Sequence, residues 1–175
     1  MKLNFQQAFT KPINMKTAFE PIADSRSRIL ILGTMPGERS LQLQQYYGHA
    51  GNHFWKIMFS ILERPFSTNY SERIKLLADH KIALWDVLQN CEGEGSSDNA
   101  IKNEKPNDFK TFYNQYKDIK TVFFASKKAE DFYKRYVAKS PDRSYHILPS
   151  PSRANTWKRY EEKEREWRIV LEYLR

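Results

Sequence analysis

The sequence predicts an α/β fold, a three-layer α/β/α sandwich around a central four-stranded, mainly parallel sheet. Three observations lead there. Four short runs are predominantly apolar, the first of them without interruption, the pattern of strands buried on both faces. Segments with apolar residues at helical spacing separate them, giving the order β, α, β, α, β, α, β, α. In such an order, right-handed crossovers carry each helix back across a parallel sheet and cover both of its faces.

The first strand is Ile29, Leu30, Ile31 and Leu32, closed by Gly33. Phe54, Ile57, Met58, Ile61 and Leu62 then recur at helical spacing. Residues 82–88 form the second strand. Residues 92–106, with Gly93, Gly95, Ser96 and Ser97 and no sustained period, read as a long surface loop. Residues 122–125 form the third strand, and Ala129, Phe132, Tyr133 and Tyr136 mark the next helix. The fourth strand, residues 145–148, stops at Pro149, which has no N–H to continue a ladder. A last helix places Trp157, Tyr160, Trp167, Val170, Leu171 and Leu174 on one side, a stripe that reads as core.

With 175 residues and no repeat or low-complexity tract, one domain over residues 1–175 is expected, long enough to bury a core without staples. Cys91 is the only cysteine, which excludes an internal disulfide and a cysteine-based zinc or iron–sulfur site and fits a reducing, intracellular compartment. Lys2, Lys11, Lys16, Glu20, Asp24 and Arg26 interrupt the first thirty residues, so no signal-peptide core is expected, and the run 29–32 is far too short to span a bilayer. Lys and Arg number 29 against 21 Asp and Glu, a formal charge of +8. That balance favours a polyanionic partner, nucleic acid ahead of an anionic membrane surface.

Sheets of this kind bind ligands at the carboxyl ends of their strands, which directs attention to the loops after Leu32, Leu88 and Leu148. Gly33-Thr34-Met35-Pro36-Gly37 is a tight turn whose backbone can approach a ligand. It lacks the Gly-Lys-Ser/Thr ending of a P-loop and the three-glycine dinucleotide fingerprint, so ATP and NAD are unsupported. Residues 44–55, Gln-Gln-Tyr-Tyr-Gly-His-Ala-Gly-Asn-His-Phe-Trp, mix rings, carboxamides and imidazoles around two glycines. Such a mix suits a flat heteroaromatic ligand, whose face stacks on rings while amides read its edge. Phe54 and Trp55 read more simply as core, and Asn52 equally as a helix N-cap.

Taken with Leu148-Pro149-Ser150-Pro151-Ser152-Arg153, these segments resemble the uracil-DNA glycosylase superfamily. The first is similar to the Gly-x-Asn-Pro-Gly and His-Pro-x-Asn-x-Phe-Trp segments of mismatch-specific uracil/thymine glycosylases, the second to their Pro-Ser/Asn-x-Ser loop. The likeness is closer to the hypoxanthine-DNA glycosylase branch, which shares the Gln-Gln-Tyr-Tyr run and an Asn-Asp-Phe segment, here Asn107-Asp108-Phe109. It spans roughly residues 28–172. One departure bears on mechanism: Met35 stands where the mismatch-specific enzymes have a water-positioning Asn, and a thioether can neither orient water nor act as a base.

The resemblance implies a monofunctional DNA N-glycosylase of base excision repair, which flips out a deaminated base, hypoxanthine or uracil, and hydrolyses its bond to the sugar, leaving an abasic site. It implies no metal and no cofactor, and a partner that is double- or single-stranded DNA with a damaged base. A monomer in the cytoplasm, at the nucleoid, is expected. On the same resemblance Asn52 takes the catalytic carboxamide's role, Tyr47 stacks on the base, and Gly33, Thr34 and Met35 contact base or sugar. His49 is a candidate donor to the leaving base or a structural histidine. Pro149, Ser150, Pro151, Ser152 and Arg153 form the loop that enters the minor groove, with Arg153 as wedge or phosphate contact. Lys127, Lys128, Lys158 and Arg159 are candidates to widen the basic face. Asp86, near the carboxyl end of the second strand, either reaches toward the sugar or fixes a neighbouring loop as a hydrogen-bond acceptor. The alternatives are a mismatch-specific uracil/thymine enzyme, which Met35 argues against, and a catalytically silent DNA-binding module. A serine hydrolase is disfavoured by the lack of a Gly-x-Ser-x-Gly elbow.

Overall fold

A computed structural model describes residues 14–174. Lys2 and Lys11 of the N-terminal reading lie outside the described residues. Strands are β1 (Met15–Thr17), β2 (Ile29–Gly33), β3 (Ile82–Asp86), β4 (Leu88–Glu92), β5 (Lys102–Pro106), β6 (Thr121–Phe124) and β7 (Ser144–Ile147). Helices are α1 (Glu38–Leu43), α2 (Phe54–Ile61), α3 (Tyr70–Asp79), α4 (Phe109–Gln115), α5 (Lys127–Tyr136) and α6 (Tyr160–Trp167), with 3-10 turns at Asp98–Ala100 and Arg168–Tyr173.

The predicted sheet is present in the order β3-β2-β6-β7, with every pair of neighbouring strands parallel, and Ile22 adds an antiparallel bridge to Leu84 of β3. β2 is central and fully buried, which is why its sequence is apolar at every position rather than alternating. Neighbouring residues of a strand point to opposite faces, and β6 shows what covers each. Phe123 meets Tyr173 after α6, whereas Phe124 meets Tyr133 of α5. Trp85, on the Phe124 side by register, stacks on Phe112 of α4. Phe54 of α2 meets Trp167 of α6 in a second helical layer. From β2 the chain crosses to β3 on one side, and β6 and β7 lie on the other, so a switch point falls between β2 and β6.

Three expectations are corrected. The apolar run 82–88 is not one strand: Val87 and Leu88 donate to the carbonyls of Gly33 and Thr34 at 2.9 and 3.1 Å, and the chain then turns away as β4. Residues 92–106 are correspondingly not a plain loop, because β5 pairs antiparallel with β4, and β1 with the other side of β4. The sequence of β5, Lys-Asn-Glu-Lys-Pro, shows no apolar alternation, so only backbone bonding reveals it as a strand. The final helix also differs. It begins at Tyr160, where Glu162 accepts from the Arg159 N–H at 2.8 Å, and passes into the 3-10 turn after Trp167. Trp157 is therefore not core; 94% of its surface is exposed. Cys91 is buried and unpaired.

Candidate active site

A cleft of about 650 Å³ opens at the carboxyl ends of β2 and β6, at the switch point. Gly33, Thr34, Met35, Tyr47, His49, Asn52, Ser150, Pro151, Ser152 and Arg153 all line it. Pro149 stands off the wall, its carbonyl accepting from the Trp167 indole N–H at 2.9 Å.

The floor is built on Gly33. Its carbonyl is held by the Val87 N–H, and Asp86 and Tyr47 come in over its Cα. A Cβ at Gly33 would collide with Asp86 Oδ1 and lie 3.1 Å from the Tyr47 hydroxyl, so only glycine admits both groups. Tyr47 holds φ at +51°, a left-handed backbone that costs a side-chain-bearing residue on the order of 1 kcal/mol or more. In that conformation its ring stacks on Phe54, centroids 4.0 Å apart at 17°. Its hydroxyl is buried without a hydrogen-bond partner among the described residues.

Asp86 does not fix a loop through its side chain. The Asn107 amide donates instead to the main-chain carbonyls of Asp86 and Leu88, at 2.9 and 3.1 Å, while Asp86 Oδ2 is buried and has no partner among the described residues. Burial first, and then the nearby charge of Asp98, push the Asp86 carboxyl up to about 8. The Asn-Asp-Phe segment is thereby explained: Asn107 is a buried tie, Asp108 caps α4 through the Thr111 N–H, and Phe109 is core.

One part of the wall was not foreseen. The tip of the β4–β5 connection docks on the first motif, Thr34 Oγ1 donating to Asp98 Oδ2 at 2.9 Å and the Glu38 N–H to Ser96 Oγ at 3.0 Å. The Gly95 N–H donates to Glu38 Oε1 at 2.7 Å, and Lys16 Nζ donates to the Gly95 carbonyl. Ser96, Ser97 and Asp98 thus enter the cleft. No spacing signal marks them, since they arrive through tertiary contact alone. Asp98 is itself raised, chiefly by burial and against the hydrogen bond from Thr34.

Asn52 fits both of its sequence readings. Its Oδ1 accepts from the Phe54 N–H at 2.9 Å at the start of α2, with His53 rather than Asn52 in the formal cap position. The rest of its carboxamide has no partner among the described residues and lines the cleft. His49 is exposed, and its Nδ1 accepts from the Gly51 N–H at 2.9 Å, which leaves a neutral ring's proton on Nε2. Burial lowers His53, aided by the charges of Lys163 and Lys56.

The two sequence motifs are joined directly. The His53 N–H donates to the Pro151 carbonyl at 2.9 Å, and a Cβ at Gly51 would come within 3.0 Å of Arg153 Cδ, so the loops touch. Behind the second loop Lys163, 1% exposed, donates to the carbonyls of Ser152 and Asn155 at 3.1 and 2.9 Å. Asn155 Nδ2 donates to the Ser150 carbonyl at 3.0 Å. Arg153 is held out from this rigid base, exposed and without an ion pair among the described residues. The other basic candidates are differently placed: Lys127 pairs with Glu130 and Asp131, Lys158 with Glu166, Arg159 with Glu162, and Lys128 lies over the Phe132 ring. Among the described residues no cluster of three His, Cys, Asp or Glu side chains is placed to hold a metal, and no helix is long and apolar enough to cross a membrane.

Comparison with known proteins accords with this geometry. The family model of the uracil DNA glycosylase superfamily matches residues 20–175. A hypoxanthine DNA glycosylase of Methanosarcina barkeri (strain Fusaro / DSM 804) is 38% identical over 141 residues, 80% of this chain and 88% of that protein. A hypoxanthine DNA glycosylase of Methanosarcina acetivorans is 32% identical over 161 residues, 91% of this chain and 99% of that protein. The solution NMR structure of a candidate uracil DNA glycosylase from Methanosarcina acetivorans superposes with a TM-score of 0.80 at 32% identity, covering 91% of this chain and 98% of the other. A structure-bearing relative and a family model that both span nearly the whole described fold leave one assignment: the chain belongs to the uracil DNA glycosylase superfamily.

Proposed function

We propose that this protein is a monofunctional DNA glycosylase that takes a flipped hypoxanthine into the cleft and hydrolyses its bond to deoxyribose, leaving an abasic site. The observation that carries the reading is the meeting, at one switch-point cleft, of the Gly33 turn, the ring of Tyr47, the carboxamide of Asn52 and the Arg153 loop. Its choice of base is supported by the relatives named hypoxanthine DNA glycosylases.

Breaking an N-glycosidic bond builds positive charge on the sugar and negative charge on the base, so the site has to hold both before water adds. Tyr47, backed by Phe54, offers one face for stacking. Asn52 is held by the Phe54 N–H through one lone pair, leaving its other lone pair to orient water and its NH2 to face the substrate. His49 presents Nε2–H as a further donor. Met35 shapes the pocket without taking part in the proton chemistry. The rigidly backed loop carrying Arg153 fills the gap left by the flipped nucleotide, which makes duplex DNA the expected substrate, bound by a monomer in the cytoplasm.

The test is incubation with duplex and single-stranded oligonucleotides carrying one hypoxanthine, uracil, xanthine or thymine, followed by alkali. Cleavage at hypoxanthine only after alkali is expected. Tight binding with no alkali-labile site at any lesion would instead select the silent DNA-binding reading. A related prediction concerns the loop: Arg153→Ala should weaken duplex binding several-fold and reduce the salt slope of log K by about one, as loss of a single phosphate contact does. Its unfolding free energy should change by less than about 0.5 kcal/mol, because the side chain packs on little; a large drop in melting temperature would make Arg153 a structural anchor.

A further inference from the structure

Trp157 stands 94% exposed, whereas Trp55, Trp85 and Trp167 are all buried. A side chain of this size normally recovers burial energy by packing, so a tryptophan left in water marks a contact made with something else. The chain on either side of it is tied down. Before it, the Asn155 carbonyl accepts from Lys163 Nζ at 2.9 Å and the Thr156 N–H donates to the Ala154 carbonyl at 3.1 Å. After it, the Arg159 N–H donates to Glu162 at 2.8 Å where α6 begins. The ring is thus held away from the core on a fixed backbone, and among the described residues no other ring or cation is stacked on it.

Its place is the exit of the loop that carries Arg153. Asn155 still lines the cleft, and Trp157 follows two residues later. The four residues from Arg153 to Trp157 span at most roughly 14 Å, about four nucleotides at about 3.4 Å each. Lys158 and Arg159 follow directly, and their pairs with Glu166 and Glu162 lie at the surface. Exposed pairs of this kind are weak, so a phosphate can replace the carboxylate.

We infer that Trp157 is a stacking platform for an unpaired DNA base a few nucleotides from the flipped one, which extends the DNA surface past the Arg153 loop and lets the protein hold single-stranded DNA. This inference rests on the reading of that loop as a DNA contact. An indole presents a face on which any base can stack, at small ordering cost because the side chain has only two rotatable bonds. In an intact duplex each base is covered by its neighbours, so the ring finds a partner only where the strand is open. A protein partner fits less well. Such a site presents a contiguous apolar patch, and the chain neighbours of Trp157 are Asn155, Thr156, Lys158 and Arg159.

The experiment uses the full chain with an undamaged single-stranded oligonucleotide and with the matching duplex. Because the other three tryptophans are buried, the emission that acrylamide quenches reports on Trp157. That accessible emission should disappear as the single strand saturates the protein. Trp157→Ala should bind the single strand about tenfold more weakly, Trp157→Phe within about threefold of the parent, and both should bind the intact duplex within about twofold. The factor for Trp157→Ala should be the same at low and at physiological salt, because stacking releases no counterions, whereas Arg153→Ala should flatten the salt dependence. Emission still open to acrylamide in the saturated complex, or parental single-strand binding by Trp157→Ala, overturns the inference and leaves the glycosylase reading intact. So does an equal loss on single strand and duplex, which would place the ring on the backbone, and so does loss of the accessible emission with rising protein concentration alone, which would assign the ring to a second copy. A parent that binds neither DNA overturns both readings.

Discussion

Asn52→Ala should excise hypoxanthine roughly two to three orders of magnitude more slowly than the parent under single-turnover conditions, while binding the lesion duplex almost as well. The carboxamide is held at one lone pair by the Phe54 N–H and, among the described residues, has no other partner on the cleft side, so it is oriented before substrate arrives. Losing a preorganised group of this kind removes stabilisation that is realised in the transition state more than in binding. The same substitution strips the start of α2 of its side-chain acceptor, which should cost about 1 kcal/mol and be visible as a lower melting temperature. The two effects are separable on one protein. Parental single-turnover excision in a variant that melts lower would reduce Asn52 to a structural role.

Gly33→Ala should be nearly as damaging, with excision down about a hundredfold, for a reason that is entirely steric. The added methyl runs into Asp86 Oδ1 and crowds the Tyr47 hydroxyl; Asp86 is a buried side chain and the Tyr47 hydroxyl a buried atom, so neither has much room to yield. Overpacking of this sort costs roughly 1–3 kcal/mol, and whichever group moves also leaves the floor on which the base is expected to sit. Backbone conformation is not the obstacle, because Gly33 continues an ordinary β-strand. Met35→Ala, at the other side of the turn, should disturb pocket shape and cost less than about tenfold. If Gly33→Ala excised like the parent, the floor would not be where the base goes.

The central sheet was legible because its strands are buried on both faces, leaving runs such as Ile29 to Leu32 that nothing but a strand or a short core helix explains. The β1-β4-β5 sheet was not, because Lys102 to Pro106 pairs through its backbone while its side chains are polar. Trp157 illustrates the opposite error: it fits the helical period of the core stripe, but the helix starts three residues later and leaves it in solvent. Gly33, Tyr47, Asn52 and Arg153 were named through the resemblance of two motifs, and the structure brings them to one cleft at the strand ends, where their roles stand as proposals. Asp98 and Lys163 were invisible, since an acid brought in by a hairpin tip and a lysine buried beneath a loop have the same local sequence as solvated residues. Asp86 lay between these cases. Its position at a strand end could be read, but its protonation is set by burial, which only the fold determines.

The most direct test of the whole account is a crystal structure of the protein with a duplex carrying one 2′-fluoro-deoxyinosine, whose electron-withdrawing fluorine slows loss of the base. The account predicts hypoxanthine extruded into the cleft against Tyr47, Asn52 beside the sugar, and the Arg153 loop in the minor groove. An inosine left stacked in the helix, or a base held on any other face of the protein, would contradict it.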